Sequence, residues 1–253
     1  MPSETSSKLQ VAVLYGGQSI EHEISILTAL QVMDAMDSTR YEIIPVYVDP
    51  DGLWYTGHHL RSRDSYWLTD DIKRHLTRVV LQSDNPIELV EAQPKKGWFG
   101  YKEQKRFMVD LFFPAFHGSF GEDGCIQGLL EWVNAPYTGC GPLAASLGMN
   151  KYRCKRFLKT VGIPVLPGIL LDRQDWDAEK ADETAKEVLT ALELPLMVKP
   201  CNLGSSLGAS VAGTEEELMI SIAGAFGFDY QVLIEPLLED MYEYALFLES
   251  KVF

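Results

Sequence analysis

The chain has 253 residues, 46% of them hydrophobic, and carries 36 acidic against 22 basic side chains for a net charge of −14. That is enough apolar material to bury a core in one large or two smaller domains. The negative balance excludes a non-specific nucleic-acid binder, which needs an excess of cations to displace phosphate counterions, so an anionic ligand must be met by a local cluster of positive groups.

In chain order, the polar start MPSETSSKLQ has no charged n-region followed by an apolar stretch, and no later run is long enough to span a membrane. A cytoplasmic protein without membrane or nucleic-acid partners is expected. Val11 to Tyr15 reads as a buried strand. Gly16-Gly17-Gln18-Ser19 then makes a turn, and Glu23 to Leu30 has a helical pattern. Tyr41 to Val48 supplies a second strand, so the opening is a βαβ unit of a parallel sheet, with ligand expected at the carboxyl ends of its strands. The stretch from Asp49 to Lys105 gives mixed signals. Met108 to Phe113 resumes a strand, Gly121-Glu122-Asp123-Gly124 opens a helix running to Trp132, and the turn cluster Tyr137 to Pro142 marks a domain boundary. Helices are expected over Pro142 to Met149, Lys151 to Val161, Asp175 to Leu192 and Thr214 to Ala225, the last capped by Thr214. A strand is expected to start at Pro164 to Pro167, with others at Leu196 to Lys199, Ala209 to Ala212, Gln231 to Glu235, and from near Tyr244. Of the cysteines, Cys125, Cys140, Cys154 and Cys201, none forms a C-x-x-C pair, and reduced, mostly buried thiols are expected.

The segment VKPCNLGSSLGAS, Val198 to Ser210, places Lys199 at a strand end before a tip of glycine and serine. Backbone N–H groups and hydroxyls of such a tip can close over phosphates while the ammonium supplies a point charge. Alone this is a weak signal, because glycine-serine hairpins usually only turn the chain. Lys151 strengthens it: a cation at a helix start gains nothing from the helix dipole, so a ligand phosphate gives it a reason to be there. Glu235, ending an apolar strand, can accept from an adenine amino group or can be an exposed strand end. Glu21 stands where the fold rule places ligand and can pair with a ligand ammonium, although a carboxylate there also simply complements the helix dipole. His117 ends a buried strand, where a histidine is more often a satisfied core residue than a reactive one.

Four segments, VAVLYGGQSIEHEIS, FFPAFHGSFGEDGCIQGLLEWVNAPYTGCG, GMNKYRCKRFLKTVGIPV and LMVKPCNLGSSLGAS, occur in an order that resembles the D-alanine–D-alanine ligases of the ATP-grasp superfamily. The resemblance implies an α/β fold: an N-terminal parallel-sheet, Rossmann-like pre-ATP-grasp domain over residues 1–139, a small α+β ATP-grasp lid domain over 140–234, and the start of the C-terminal ATP-grasp domain over 235–253. It implies ATP-dependent joining of two D-alanines through an acyl phosphate for peptidoglycan precursors, with a homodimer as the assembly. Of the residues it implies to be catalytic, Glu21 holds the first substrate's ammonium, Ser205 bonds Glu21 to anchor the lid, and His117 stands by the substrate carboxylate. Lys151 and Lys199 contact ATP phosphates beneath the Ser205-Ser206 tip. Glu235 takes the adenine amino group with backbone at Pro236 and Leu238. Glu243 reaches the ribose if one insertion is allowed in Leu237 to Tyr242.

The family's lysine-tyrosine lid, its transition-state arginine and the ligands of Mg2+ (or Mn2+) are expected beyond Phe253, where most of the C-terminal domain would lie; no metal ligand is assigned in the chain itself. A fragment or partial version of a longer ligase is therefore expected, with the 253 residues alone inactive. A truncated, non-catalytic ATP-grasp relative that binds nucleotide or regulates a partner stays open, as does a ligase that uses D-lactate or D-serine as acceptor.

Overall fold

Val11, Val13 and Tyr15 face one way from the first strand, and Ala12 and Leu14 face the other; all five are buried. This two-sided burial is why the sequence there is continuously apolar instead of alternating. In the computed structural model, which describes residues 8–63, 74–83, 87–94, 96–97, 100–101 and 103–238, the strand is β1, Leu9–Gly16. It pairs in parallel with β2, Tyr41–Val48, and with β9, Leu111–Pro114.

The chain forms two compact units, Met1–Met149 and Asn150–Phe253. In the first, β3 (Trp54–Thr56), β4 (Thr77–Gln82), β5 (Glu88–Glu91) and β8 (Arg106–Met108) continue the sheet beyond β2, giving the order β8-β5-β4-β3-β2-β1-β9. These added pairings are antiparallel, so the expected parallel sheet is a mixed one. The two-residue strands β6 (Lys96–Gly97) and β7 (Gly100–Tyr101) pair with each other in a separate two-stranded sheet. Helix α1, His22–Ala35, packs Ile26, Ala29 and Met33 against the Val11, Val13 and Tyr15 face. Helix α2, Cys125–Trp132, packs Ile126 and Leu130 against Ala12, Leu14 and Phe112 on the opposite face. A further helix, α3, spans Pro142–Met149. The expected single strand from Met108 to Phe113 is broken at Val109 and Asp110, where Asp110 Oδ2 accepts from Gln10 N at 2.7 Å.

The second unit opens with α4, Lys151–Thr160, capped by Asn150, whose side chain accepts from Arg153 N at 2.9 Å. Its sheet is antiparallel throughout, in the order β10 (Ile169–Asp172), β13 (Gln231–Pro236), β11 (Leu196–Pro200), β12 (Ser210–Ala212). Helices α5, Ala181–Ala191, and α6, Glu215–Phe226, cover one face and bury Leu196, Val198, Val232 and Ile234 against Ala185, Val188, Leu218 and Ile222. Thr214 caps α6 as expected, accepting from Glu217 N at 3.1 Å. The helix expected from Asp175 starts later, at Ala181. Short 3-10 turns precede it, and the Asp177 carboxylate takes the Glu179 N–H at 3.0 Å, competing locally with helix.

The cysteines are free, but only Cys201 is buried; Cys154 is half-buried and Cys125 and Cys140 are exposed, against the expectation of mostly buried thiols. No helix among the described residues is long and apolar enough to cross a membrane.

Candidate functional site

In the first unit, parallel pairing sends the carboxyl ends of β1 and β9 to the same edge of the sheet. Ser25, fully buried on α1, fastens both strand ends: its hydroxyl accepts from Gly16 N at 2.9 Å and donates to Ala115 O at 2.8 Å. Glu21, at the N-cap of α1, is 2% exposed, and its N–H donates to Ser19 Oγ at 3.1 Å. The chain after β9 passes so close that a Cβ added to Gly118 would lie 2.4 Å from Glu21 Oε2 and 2.3 Å from Ser19 Oγ. At φ +74° Gly118 also sits in the left-handed region that favours glycine. Its N–H donates to Glu122 Oε2 at 2.7 Å, and the neighbouring His117 has Nε2 2.8 Å from Thr28 Oγ1 of α1. Glu21 and His117 are thus gathered at one strand-end corner. His22, which no motif singled out, bridges Gly17 O and the Tyr47 hydroxyl at 2.6 and 3.0 Å. Burial, with Asp49 and Tyr55 adding to it, pushes that hydroxyl up to about 12. A cavity of ≈ 200 Å³ opens nearby, lined by Gly17, Phe116, Phe120, Cys125, Ile126 and Leu129.

In the second unit the sheet face away from α5 and α6 carries Met197, Lys199, Leu233 and Glu235. The register places Lys199 opposite Leu233, so Glu235 is its diagonal neighbour. The Glu235 side chain is only 8% exposed, and its two oxygens are taken by two ammonium groups: Lys199 from β11 and Lys155 from α4. Burial by itself would raise this carboxyl, but the hydrogen bonds and charges of the two lysines outweigh it and hold the group below its ordinary value. Glu235 is therefore not an exposed strand end. Lys199 is the penultimate residue of β11, which runs one residue further than expected, and its ammonium sits on a carboxylate.

Between β11 and β12 the loop contains Ser205 and Ser206, both exposed, at φ +47° and +57°, followed by Gly208 at +70°. Consecutive non-glycine residues in the left-handed region store backbone strain, a feature concentrated at ligand clamps. Lys151, the first residue of α4, donates from Nζ to the Leu203 carbonyl within this loop. At the loop's root the Asn202 side-chain amide donates to both Asp229 carboxylate oxygens at 3.1 and 3.0 Å and accepts from Asn150 Nδ2 at 2.8 Å. Asn150 also donates to Gln231 Oε1 at 3.0 Å, and Gln231 Nε2 donates to Asp172 Oδ1 at 3.2 Å. Cys201 lies beneath the loop as an inert thiol, pushed up to about 12 by burial and then by Asp229.

Pro236 ends β13 half-buried; Leu238 is exposed, and Glu243 lies outside the described residues, as does the strand expected near Tyr244. Beside Lys155 a cavity of ≈ 640 Å³ is lined by Lys155, Arg156 and Lys159 on one side and Val165, Leu166 and Leu233 on the other. Its mix of cationic and apolar walls suits a group that is flat and apolar at one end and anionic at the other. Among the described residues no group of three or more His, Cys, Asp or Glu side chains is placed to hold a metal. Lys155, Ser25 and the Asn150-centred network escaped sequence reasoning. For Lys155 a signal existed, since it follows Lys151 by four residues and so shares its helix face.

Residues 10–140 match the family model described as D-ala D-ala ligase N-terminus, and residues 157–245 match D-ala D-ala ligase C-terminus. A D-alanine–D-alanine ligase of Caldicellulosiruptor bescii is 36% identical over 237 residues, which are 90% of this chain and 60% of that protein. The structure of the D-alanine–D-alanine ligase from Coxiella burnetii superposes with a TM-score of 0.75 at 29% identity, covering 92% of this chain and 64% of the other. A D-Ala:D-Ser ligase structure from Enterococcus faecalis superposes with a TM-score of 0.71 at 27% identity, covering 92% and 60%. The chain thus spans about 60% of the length of the curated relatives it matches.

Proposed function

The chain belongs to the D-alanine–D-alanine ligase family, and from that premise we propose that the full-length protein joins two D-alanines at the expense of ATP. The ATP γ-phosphoryl group passes to a carboxylate oxygen of the first D-alanine, giving an acyl phosphate and ADP. The amine of the second attacks the acyl carbon, the carbon–oxygen bond to phosphate breaks, the amine sheds a proton, and phosphate leaves. The observation that carries this reading is the strand–lysine–loop–strand unit of β11 and β12. It places a strained, hydroxyl-bearing tip after Lys199 and ties that tip to Lys151 through Leu203. Such a tip can cover a phosphate and keep an acyl phosphate from water.

In this reading Lys199 and Lys151 meet the phosphates, and Ser205 and Ser206 close over them. Glu235 accepts from the adenine amino group, with backbone at Pro236 and Leu238 beside it and Glu243 at the ribose. Glu21 pairs with the ammonium of the first D-alanine, a role supported by its burial and by the close passage of Gly118. His117, held by Thr28, stands at that substrate's carboxylate, and the pairing of Ser205 with Glu21 belongs to the same proposal. The reaction would take place in the cytoplasm, in a homodimer. The described residues do not fit a magnesium site, so no step is routed through one.

Phosphate release by the full-length protein, measured with ATP and D-alanine, should be absent with L-alanine. Arms with D-serine or D-lactate beside limiting D-alanine decide the acceptor, and a well-folded protein inactive in every arm would leave the non-catalytic reading standing. Glu21→Gln should raise the D-alanine requirement about 10- to 100-fold, the range for one charge-assisted contact, with nucleotide affinity little changed. Equal weakening of ATP would overturn the role of Glu21.

A further inference from the structure

Glu235 is shared between two lysines, and the sharing is unequal in what each lysine is free to do. Lys199 stands one residue from the end of β11, the strand that leads into the loop holding Ser205 and Ser206. Lys155 stands on the second turn of α4, away from that loop, and each lysine occupies its own oxygen of the carboxylate. Both lysine side chains keep some exposure, 20% for Lys155 and 25% for Lys199, whereas the Glu235 side chain between them keeps only 8%.

A phosphate arriving under the loop competes with Glu235 for Lys199. If Lys199 were the carboxylate's sole partner, its departure would leave a buried charge uncompensated, and the carboxyl would take up a proton. A protonated carboxyl presents a hydroxyl donor where an amino-bearing base needs an acceptor. The second lysine removes that conflict. Its approach is tight: a Cβ added to Gly168, at the entry to β10, would lie 2.9 Å from Leu233 Cδ1 and 3.8 Å from Lys155 Nζ. The backbone there leaves room for the lysine to cross the sheet face to Glu235.

We propose that Lys155 is a positioning residue for base recognition: it keeps Glu235 ionised and turned toward the base when phosphate draws Lys199 away. Lys155 touches neither phosphate nor base in this scheme and acts through Glu235, which makes it a determinant of which purine the site accepts. The proposal rests on the nucleotide-binding reading above and deepens it.

The test is calorimetric titration of the full-length protein with ATP and with inosine triphosphate, whose base has an oxo group in place of the amino group. Wild type, Lys155→Met, Lys155→Arg, Glu235→Gln and the Lys155→Met/Glu235→Gln double variant are compared. Wild type should prefer ATP. Lys155→Met should lose about 10- to 100-fold in ATP affinity, the range for a hydrogen bond to a charged group, with little loss for inosine triphosphate, so that the preference collapses. Arginine should restore the preference, and the double variant should discriminate no worse than Glu235→Gln alone, because the lysine acts only through that carboxylate. A preference unchanged in Lys155→Met, or losses that add in the double variant, overturns the proposal. A wild type that binds neither nucleotide overturns the nucleotide reading instead, and Lys155→Arg serves as the folded control if the methionine variant unfolds.

Discussion

The two larger sheets of this chain solve the same packing problem in opposite ways. The first has helices on both faces of β1, so adjacent residues such as Val13 and Leu14 are both fully buried, and its candidate residues lie beyond the strand ends. The second has helices α5 and α6 on one face only; along β11 Leu196 and Val198 are buried while Met197 and Lys199 keep some exposure, and its candidate residues stand on the strands themselves. A sheet covered on both faces has no room for charge except at its edges. One whose second face is only partly covered can carry a lysine and a glutamate in its middle, provided they neutralise each other.

The largest effects should come from breaking the two-sidedness. Phe112→Ala on one face of the first sheet and Met33→Ala on the other, both essentially fully buried, should each cost about 2–5 kcal/mol in urea unfolding. In the second sheet Leu196→Ala should cost a similar amount, but Met197→Ala, one residue on, only about 1 kcal/mol. Equal losses at 196 and 197 would show that Met197 is packed as tightly as Leu196 and remove the contrast between the faces.

Next in size is the strand-end corner. Gly118→Ala and Gly162→Ala impose similar left-handed strain, at φ +74° and +81°, but only at Gly118 would the new Cβ strike side chains, while at Gly162 nothing lies within 4 Å. Backbone strain alone accounts for about 1–2 kcal/mol. Gly118→Ala should exceed Gly162→Ala in thermal or urea unfolding and, on the role proposed for Glu21, should also weaken D-alanine binding by displacing that carboxylate. Matching losses would remove the corner's claim to close packing.

The smallest effects lie in the pH profile of stability, and they separate the sheets by sign. The Glu235 carboxyl is lowered in the folded state, so its contribution is present above the unfolded value of about 4.3 and is lost as pH falls through the folded value. The Tyr47 hydroxyl is raised to about 12, so its contribution is complete below the unfolded value of about 10 and is lost as pH rises through the folded one. Glu235→Gln should flatten the acid limb and Tyr47→Phe the alkaline limb. The lowered carboxyl of Asp37, bonded to Thr39, and the raised thiol of Cys201 add to the same two limbs, so the variants and not the raw curve make the assignment.

What the residues disclosed in advance follows the same division. The strands β1, β2, β11 and β13 were legible because burial writes itself as apolar runs or as alternation, and the Thr214 cap because its oxygen has one obvious use. The antiparallel strands between Asp49 and Lys105 were not, being as short as two residues and as mixed as Trp54-Tyr55-Thr56 or Thr77 to Gln82, where Arg78 and Val79 lie side by side. Lys199 and Glu235 drew attention through their places at strand ends, but their pairing was hidden, because it depends on the register of two strands 31 or more residues apart in the chain. Lys155 was hidden for a related reason: its partner is 80 residues away, and a lysine on a helix surface is ordinarily just solvated.

The amide relay at the root of the serine loop constrains how this protein can change over generations. Asn150 donates both ways, to Asn202 and to Gln231; each of these passes a donor onward, and the two branches end on Asp229 and Asp172. Every amide therefore has one permitted orientation, and each link has a polarity. A mutation of Asn202 to aspartate would set two carboxylates against each other and remove the donor, and the reverse change at Asp229, to asparagine, would turn an amide NH2 toward a donor, because both carboxylate oxygens also accept backbone N–H groups, Oδ2 from Asn202 at 2.7 Å and Oδ1 from Tyr230 at 2.7 Å. Neither position is therefore free to change alone. In a sample of descendants the two should vary as a pair, with Asn150 the member least free to move.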